Sequence, residues 1–225
     1  MNGWRARLGF LVPAGTPTAE NEMFEMAPEG VSVHFERMVG HGATGTLDGL
    51  DGRIATQIAN LESSFTLLAQ VKPRVIALAH TATSYYLGPQ GEADMTGRLE
   101  ALGGPRFTSA FASVVLALRA LGVRRVALGT PYNQDLTMKG KTNLEAHGFE
   151  VVRFDWLRDV RSIFEEPPHR VHSLARGVDH ANADAVFLSG IGMPTVETIA
   201  ALEHDLGKPV ICLLYTSPSP RDQRG

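Results

Sequence analysis

Cysteine is nearly absent from this chain: a single one, Cys212, occurs in 225 residues. An internal disulfide framework and a multi-cysteine zinc site are thereby excluded. That cysteine opens a stretch, Cys212-Leu-Leu-Tyr-Thr-Ser-Pro-Ser-Pro-Arg-Asp222, which reads as the translation of a transposon-type sequencing adapter. We expect residues 212–225 to be such an artefact rather than protein sequence. On that reading the natural part has no cysteine and stops in mid-strand near Ile211, with a C-terminal segment missing. An excess of one charge is also lacking. Lys and Arg total 21 against 24 Asp and Glu, and a net charge of -3 gives no electrostatic reason to expect nucleic acid or an anionic membrane as partner. No apolar run approaches the roughly 18 residues of a membrane span. Met1 to Arg7 leads straight into a strand without an apolar signal core, so a cytoplasmic location is the expectation.

Cofactor and metal motifs are missing as well. His34, His147, His169, His172, His180 and His204 show no metal-ligand spacing, and no metal or cofactor is expected. Gly190-Ile-Gly192 is a lone G-x-G without the rest of a dinucleotide fingerprint, and no Walker-type run occurs. Ser189 stands in no G-x-S-x-G frame, which removes the usual signature of a serine hydrolase.

What is present is an alternation of short apolar runs with helical periodicities. Arg7 to Val12, Val31 to Arg37, Val75 to Ala79, Arg125 to Leu128, Glu150 to Phe154, Ala185 to Leu188 and Pro209 onward read as strands. Between them, Glu20 to Met26, Arg53 to Gln70, Gln90 to Leu102, Ala110 to Leu121, Gln134 to His147, His169 to Asn182 and the segment after Thr195 read as helices. Thr108 or Ser109 is placed to cap the helix from Ala110, and Thr195 the last one. Strands alternating with helices predict parallel sheets.

Two strand ends stand out. Val75-Ile-Ala-Leu-Ala79 stops at His80 and gives way to Thr81, Thr83 and Ser84; Ala185-Val-Phe-Leu188 gives way to Ser189-Gly-Ile-Gly-Met-Pro-Thr195. An apolar strand feeding a small polar loop is how an open α/β sheet builds a site beyond its carboxyl ends. The loops at Pro13 and Pro131 are 118 residues apart, and His80 and Gly190 are 110 apart. These near-equal offsets predict two similar Rossmann-like α/β halves related by a pseudo-twofold axis. The halves would span 1–108, completed by the missing segment, and 109–211, with the site in the cleft between them.

With these pieces in order, the chain resembles the aspartate/glutamate racemase superfamily, in its arylmalonate decarboxylase and maleate cis-trans isomerase branch. The resemblance rests on Gly9-Phe-Leu-Val-Pro-Ala-Gly-Thr-Pro-Thr18 with Glu20, Thr81-Ala-Thr-Ser-Tyr-Tyr-Leu-Gly88 and Leu118 to Leu128. It continues through Thr130-Pro-Tyr132 and Leu188 to Thr195, and covers nearly all of residues 7–211. It implies a cofactor-free enzyme acting on a small carboxylate through an enediolate-type intermediate. The family's two strand-end cysteines would fall at His80 and Gly190, so no thiol mechanism carries over. The resemblance also implies that Thr81, Tyr132 and the backbone at Gly190-Ile191 hold the developing negative charge, with Thr83, Ser84 and Ser189 beside them. Pro13 and Thr16 would contact the substrate carboxylate, and His41 in the Gly-rich loop would border the pocket.

Helix N-termini and small hydroxyls suit such an anion, and the alternative for the three hydroxyls after His80 is ordinary helix capping. His80 is the candidate proton donor, since a histidine with an ordinary pKa near 6.5 exchanges protons at neutral pH. The readings left open are a decarboxylase- or isomerase-type enzyme, an amino-acid racemase, and a non-catalytic small-carboxylate-binding protein. The expected partner is a small carboxylate, and nothing in the sequence speaks against a homo-oligomer.

Overall fold

The computed structural model describes residues 3–42 and 46–212. The first half opens with β1 (Ala6–Pro13), α1 (Ala19–Met26), β2 (Val31–Met38), α2 (Leu50–Ala59) and α3 (Leu61–Ala69). It continues with β3 (Val75–Leu78), α4 (Thr81–Ala101) and β4 (Arg106–Ser109). The second half runs α5 (Ala110–Ala120), β5 (Arg125–Thr130), α6 (Gln134–Ala146), β6 (Glu150–Trp156), α7 (Pro168–Val178), β7 (Ala185–Leu188), α8 (Val196–Leu206) and β8 (Val210–Cys212). A 3-10 turn, Ile163–Glu165, interrupts the irregular stretch before α7.

Two four-stranded sheets result, in the orders β2-β1-β3-β4 and β6-β5-β7-β8. Every pairing is parallel. The two orders match strand for strand, which is the α/β duplication expected from the sequence. The central strands β3 and β7 are buried almost throughout and are apolar on both faces, as helix-covered parallel strands require. One apolar core runs through both halves. It joins Phe10, Val12, Ala77 and Ala79 of the first to Val126, Leu128, Phe187 and Leu188 of the second. A smaller cluster, including Leu11, Phe65, Ile76, Leu78, Met95 and Phe107, fills the other face of the first sheet.

Four sequence expectations change. The helix expected over 53–70 is two helices, α2 and α3, hinged at Asn60; of its apolar stripe Ile54, Leu61, Phe65 and Leu68 are buried and Ile58 is half-buried against the core. Thr81, Thr83 and Ser84 form the first turn of α4 rather than a loop, and the helix expected from Gln90 is the continuation of α4 beyond a break at Gly88 and Pro89. Arg106–Ser109 is a strand; only Phe107 and Ser109 of its four residues are buried, too little to stand out as an apolar run. Thr195 makes no side-chain cap, whereas Ser109 Oγ accepts from the Ala112 amide at 2.9 Å and caps α5 as expected. Cys212 closes β8, opposite Leu188; the rest of the stretch read as adapter lies outside the described residues.

The halves meet chiefly where α4 crosses α6. Gly140 of α6 lets the helix press on the Tyr85 ring: a Cβ there would lie 2.7 Å from Tyr85 Cε2, well inside contact distance.

Candidate active site

The carboxyl ends of β1 and β3 and the loops after β5 and β7 converge on one cavity of about 50 Å³. Pro13, Ala14 and Gly15 follow β1, His80 follows β3, Tyr132 follows β5, and Ile191 and Gly192 follow β7. Leu50, Arg53 and Gln57 of α2 close one side, and Ile163 and Phe164 of the 3-10 turn close another. The walls therefore sort into an apolar surface (Leu50, Ile163, Phe164, Ile191) and a polar set (His80, Tyr132, Arg53, Gln57).

His80 sits in the N-cap position of α4, in extended conformation, and is 8% exposed. Its Nδ1 is 2.8 Å from Thr83 Oγ1, one turn into the helix. Burial, and secondarily the positive charge of Arg53, lower its pKa from 6.5 to about 4. The imidazole is thus neutral at pH 7, unlike the ordinary histidine the sequence suggested.

Beside it a chain of hydroxyls crosses repeatedly between the halves. Tyr85 OH donates to Ser189 Oγ at 2.8 Å, Ser189 Oγ donates to Thr81 Oγ1 at 3.1 Å, and Thr81 Oγ1 lies 3.2 Å from Tyr132 OH. All four residues are buried. Burial raises the Tyr132 pKa from 10 to about 12 and that of Tyr85 further, so both phenols keep their protons. Tyr132 is itself held by its backbone N–H, which donates to Thr130 Oγ1 at 3.2 Å.

Of the residues the sequence singled out, Pro13, His80, Tyr132 and Ile191 line the cavity. Thr81 and Ser189 stand behind it in the hydroxyl chain. Thr83 is engaged with His80, and Ser84 Oγ donates to buried Glu92 Oε1 at 2.8 Å, facing away along α4. Thr16 is fully buried, and its Oγ1 has no hydrogen-bond partner among the described residues. His41 is exposed and stands outside the cavity lining, next to Gly40, which belongs to it. Gly190 has φ +125, and a Cβ there would meet Pro131 Cγ at 2.7 Å, so this position accepts glycine alone without strain.

Arg53 and Gln57 were invisible as site residues in the sequence. They stand one turn apart, immediately beside the apolar positions Ile54 and Ile58, where polar side chains read as the solvated flank of an amphipathic helix. Each is in fact only 6% exposed. Their matching i, i+4 spacing behind a Gly-rich loop was the available signal.

Residues 8–216 match the family profile of arylmalonate decarboxylase. The chain belongs to the arylmalonate decarboxylase family. Among curated relatives, the maleate isomerase of Nocardia farcinica is 31% identical over 223 residues, covering 91% of this chain and 84% of that protein. The arylmalonate decarboxylase of Bordetella bronchiseptica is 29% identical over 143 residues, 61% of this chain and 59% of the relative. A solved structure of Nocardia farcinica maleate cis-trans isomerase, carrying a covalently bound succinylcysteine intermediate, superposes with a TM-score of 0.83 at 28% identity. The match covers 94% of this chain and 89% of that one. Arylmalonate decarboxylase family membership thus agrees with the two-sheet α/β architecture. Among the described residues, no group of three or more His, Cys, Asp and Glu side chains could hold a metal ion, and no helix is long and apolar enough to cross a membrane.

Proposed function

We propose that the protein is a cofactor-independent decarboxylase or isomerase of small carboxylic acids, working through an enediolate with His80 as the group that carries the proton. The observation that carries this reading is that His80 and Tyr132, from opposite halves, line the same cavity. Donor order in the hydroxyl chain supports the anion-holding role. Thr81 already accepts from Ser189, so its own proton is available to Tyr132, and the Tyr132 proton is then available to an oxyanion in the cavity. The N-terminus of α4, which has no side-chain cap, adds a second source of positive potential through the helix dipole.

In the decarboxylation form, the bond from the α-carbon to one carboxylate breaks and CO2 departs. The electron pair moves into the remaining carboxylate as an enediolate, and a proton from the His80 imidazolium ends on the α-carbon. A dianionic substrate beside His80 favours the protonated imidazole, offsetting the burial and the Arg53 charge that lower its pKa. Two-base racemisation is disfavoured, because position 190 is a glycine and supplies no side chain to serve as second base.

The test is CO2 release and double-bond isomerisation over a panel of malonates and maleate, with the wild type and His80→Ala. Turnover that survives His80→Ala unchanged would overturn the role of His80. Saturable thermal stabilisation by small acids without turnover of any would instead establish a carboxylate-binding protein.

A further inference from the structure

Every site contact of α4 lies before its break. Thr81, Thr83 and Tyr85, with His80 just ahead of them, make the bonds described above, and residues 89–101 make none of those. The break is sharp: Gly88 has φ 69 and ψ 174, and Pro89 follows it. Residues 81–87 are therefore a helix of their own, shorter than the roughly 12 residues below which an isolated helix is marginal in water. Pro89 also lacks the N–H that would have bonded the Tyr85 carbonyl one turn back. The segment that carries the site has to be held from outside.

Two buried side chains hold it, one from each half. Glu92, 7% exposed, reaches back across the break, and its Oε1 accepts from Ser84 Oγ at 2.8 Å. Asn143 of α6, 3% exposed, donates through Nδ2 to the carbonyls of Ser84 and Tyr85, in long bonds of 3.5 Å each, besides the Lys139 carbonyl of its own helix at 3.3 Å. The second segment of α4 is anchored independently, with Met95 and Leu99 in the smaller core cluster, so Glu92 works from a fixed base. Among the described residues no Lys, Arg or His forms an ion pair with Glu92. A buried carboxyl without a cation is a poor device for stability alone, since an apolar side chain of similar size avoids its desolvation. We infer that Glu92 and Asn143 are positioning residues, a two-sided clamp on the C-terminal end of the helix over residues 81–87 that sets where His80, Thr81 and Tyr85 stand in the site. The clamp rests on the proposed function only where turnover is read; the hold on the helix is measurable without any reaction.

Hydrogen–deuterium exchange without added substrate reads the clamp directly, and kcat and KM on whichever carboxylate is turned over are the second measurement. Glu92→Leu should speed exchange of the amides of residues 85–87 by roughly 3- to 10-fold, the worth of one hydrogen bond, while residues 95–99 change far less. It should lower kcat by roughly 10- to 100-fold, the effect of a small misplacement of catalytic groups, with KM altered a few-fold at most. Glu92→Gln keeps an acceptor for Ser84 and should restore most of both. Asn143→Leu should speed the same amides from the other side; exchange there at the wild-type rate would overturn the two-sided clamp. A merely structural Glu92 would speed both segments alike and leave kcat of the folded enzyme intact. Equal acceleration in both segments, or kcat within about twofold of wild type in Glu92→Leu, therefore overturns the inference. Should that variant fail to fold, Ser84→Ala removes the same bond from its other end and is read by the same two measurements. If no carboxylate is turned over, the proposed function fails, and the exchange pattern still decides the clamp.

Discussion

Replacing Gly140 by alanine isolates how closely the two halves are fitted. In an exposed helix interior the change stabilises, because alanine exceeds glycine in helix propensity by about 1 kcal/mol. Gly97 of α4, with nothing within 4 Å of its would-be Cβ, provides that reference. At Gly140 the same methyl group would lie 2.7 Å from Tyr85 Cε2 and 2.9 Å from Cζ. The ring has nowhere to turn. It packs edge-on to Phe111 at 5.5 Å and to Tyr132 at 6.3 Å, and its hydroxyl is bound to Ser189. Overpacking of this kind costs about 1–3 kcal/mol, so Gly140→Ala should be net destabilising by about 1 kcal/mol. The two glycine substitutions should thus differ by about 2 kcal/mol, or roughly 4–8 °C in Tm for a chain of this size. Urea titration and thermal melts of both variants supply the measurement. A double-mutant cycle with Tyr85→Leu should return the Gly140→Ala effect to the Gly97→Ala value. Equal stabilisation by both alanines in the wild-type background would refute the reasoning.

Three further outcomes follow from the same geometry. Tyr85→Phe removes the first donor of the hydroxyl chain and should cost about 1–2 kcal/mol while lowering turnover more than substrate affinity, read from kcat and KM separately. His80 has a folded pKa near 4 against an ordinary 6.5, so the unfolded chain binds the extra proton between these values. Its contribution is present above pH 6.5 and lost as pH falls toward 4, and His80→Gln should remove roughly 3 kcal/mol of that dependence, measured as urea midpoints against pH. Glu22 goes the other way: burial and the neighbouring Glu25 and Glu197 raise its carboxyl from 4.5 to about 7. Its protonated form favours the fold at low pH and the advantage disappears as pH rises through 7, so Glu22→Gln should raise the Tm more at pH 8 than at pH 5.

The fold was legible where burial is two-sided. Strands such as Ile76 to Leu78 and Val186 to Leu188 carry unbroken apolar runs because helices cover both faces of each sheet. Legibility failed where tertiary contacts override local preference. Thr81, Thr83 and Ser84 are residues that favour turns, yet they open a helix because His80, Tyr132 and Glu92 engage their hydroxyls. The residues after His80 and Leu188 pointed to a site because strand ends of α/β sheets are where sites form. Arg53 and Gln57 escaped because periodicity separates apolar from polar and cannot tell a polar face turned to water from one turned into a cavity.

The alternation of the hydroxyl chain also restricts how a ligand gets in. Its links pass from α4 to the end of β7, back to α4 and across to the loop after β5, so parting the two halves would break all of them at once. Each link exchanged for water costs the net worth of a hydrogen bond, about 0.5–1.5 kcal/mol apiece, on top of the apolar core that joins the halves. Domain-scale hinging is therefore a poor route for admission. Access falls instead to the walls that carry no such cross-links between the halves, α2 and the 3-10 turn at Ile163–Glu165.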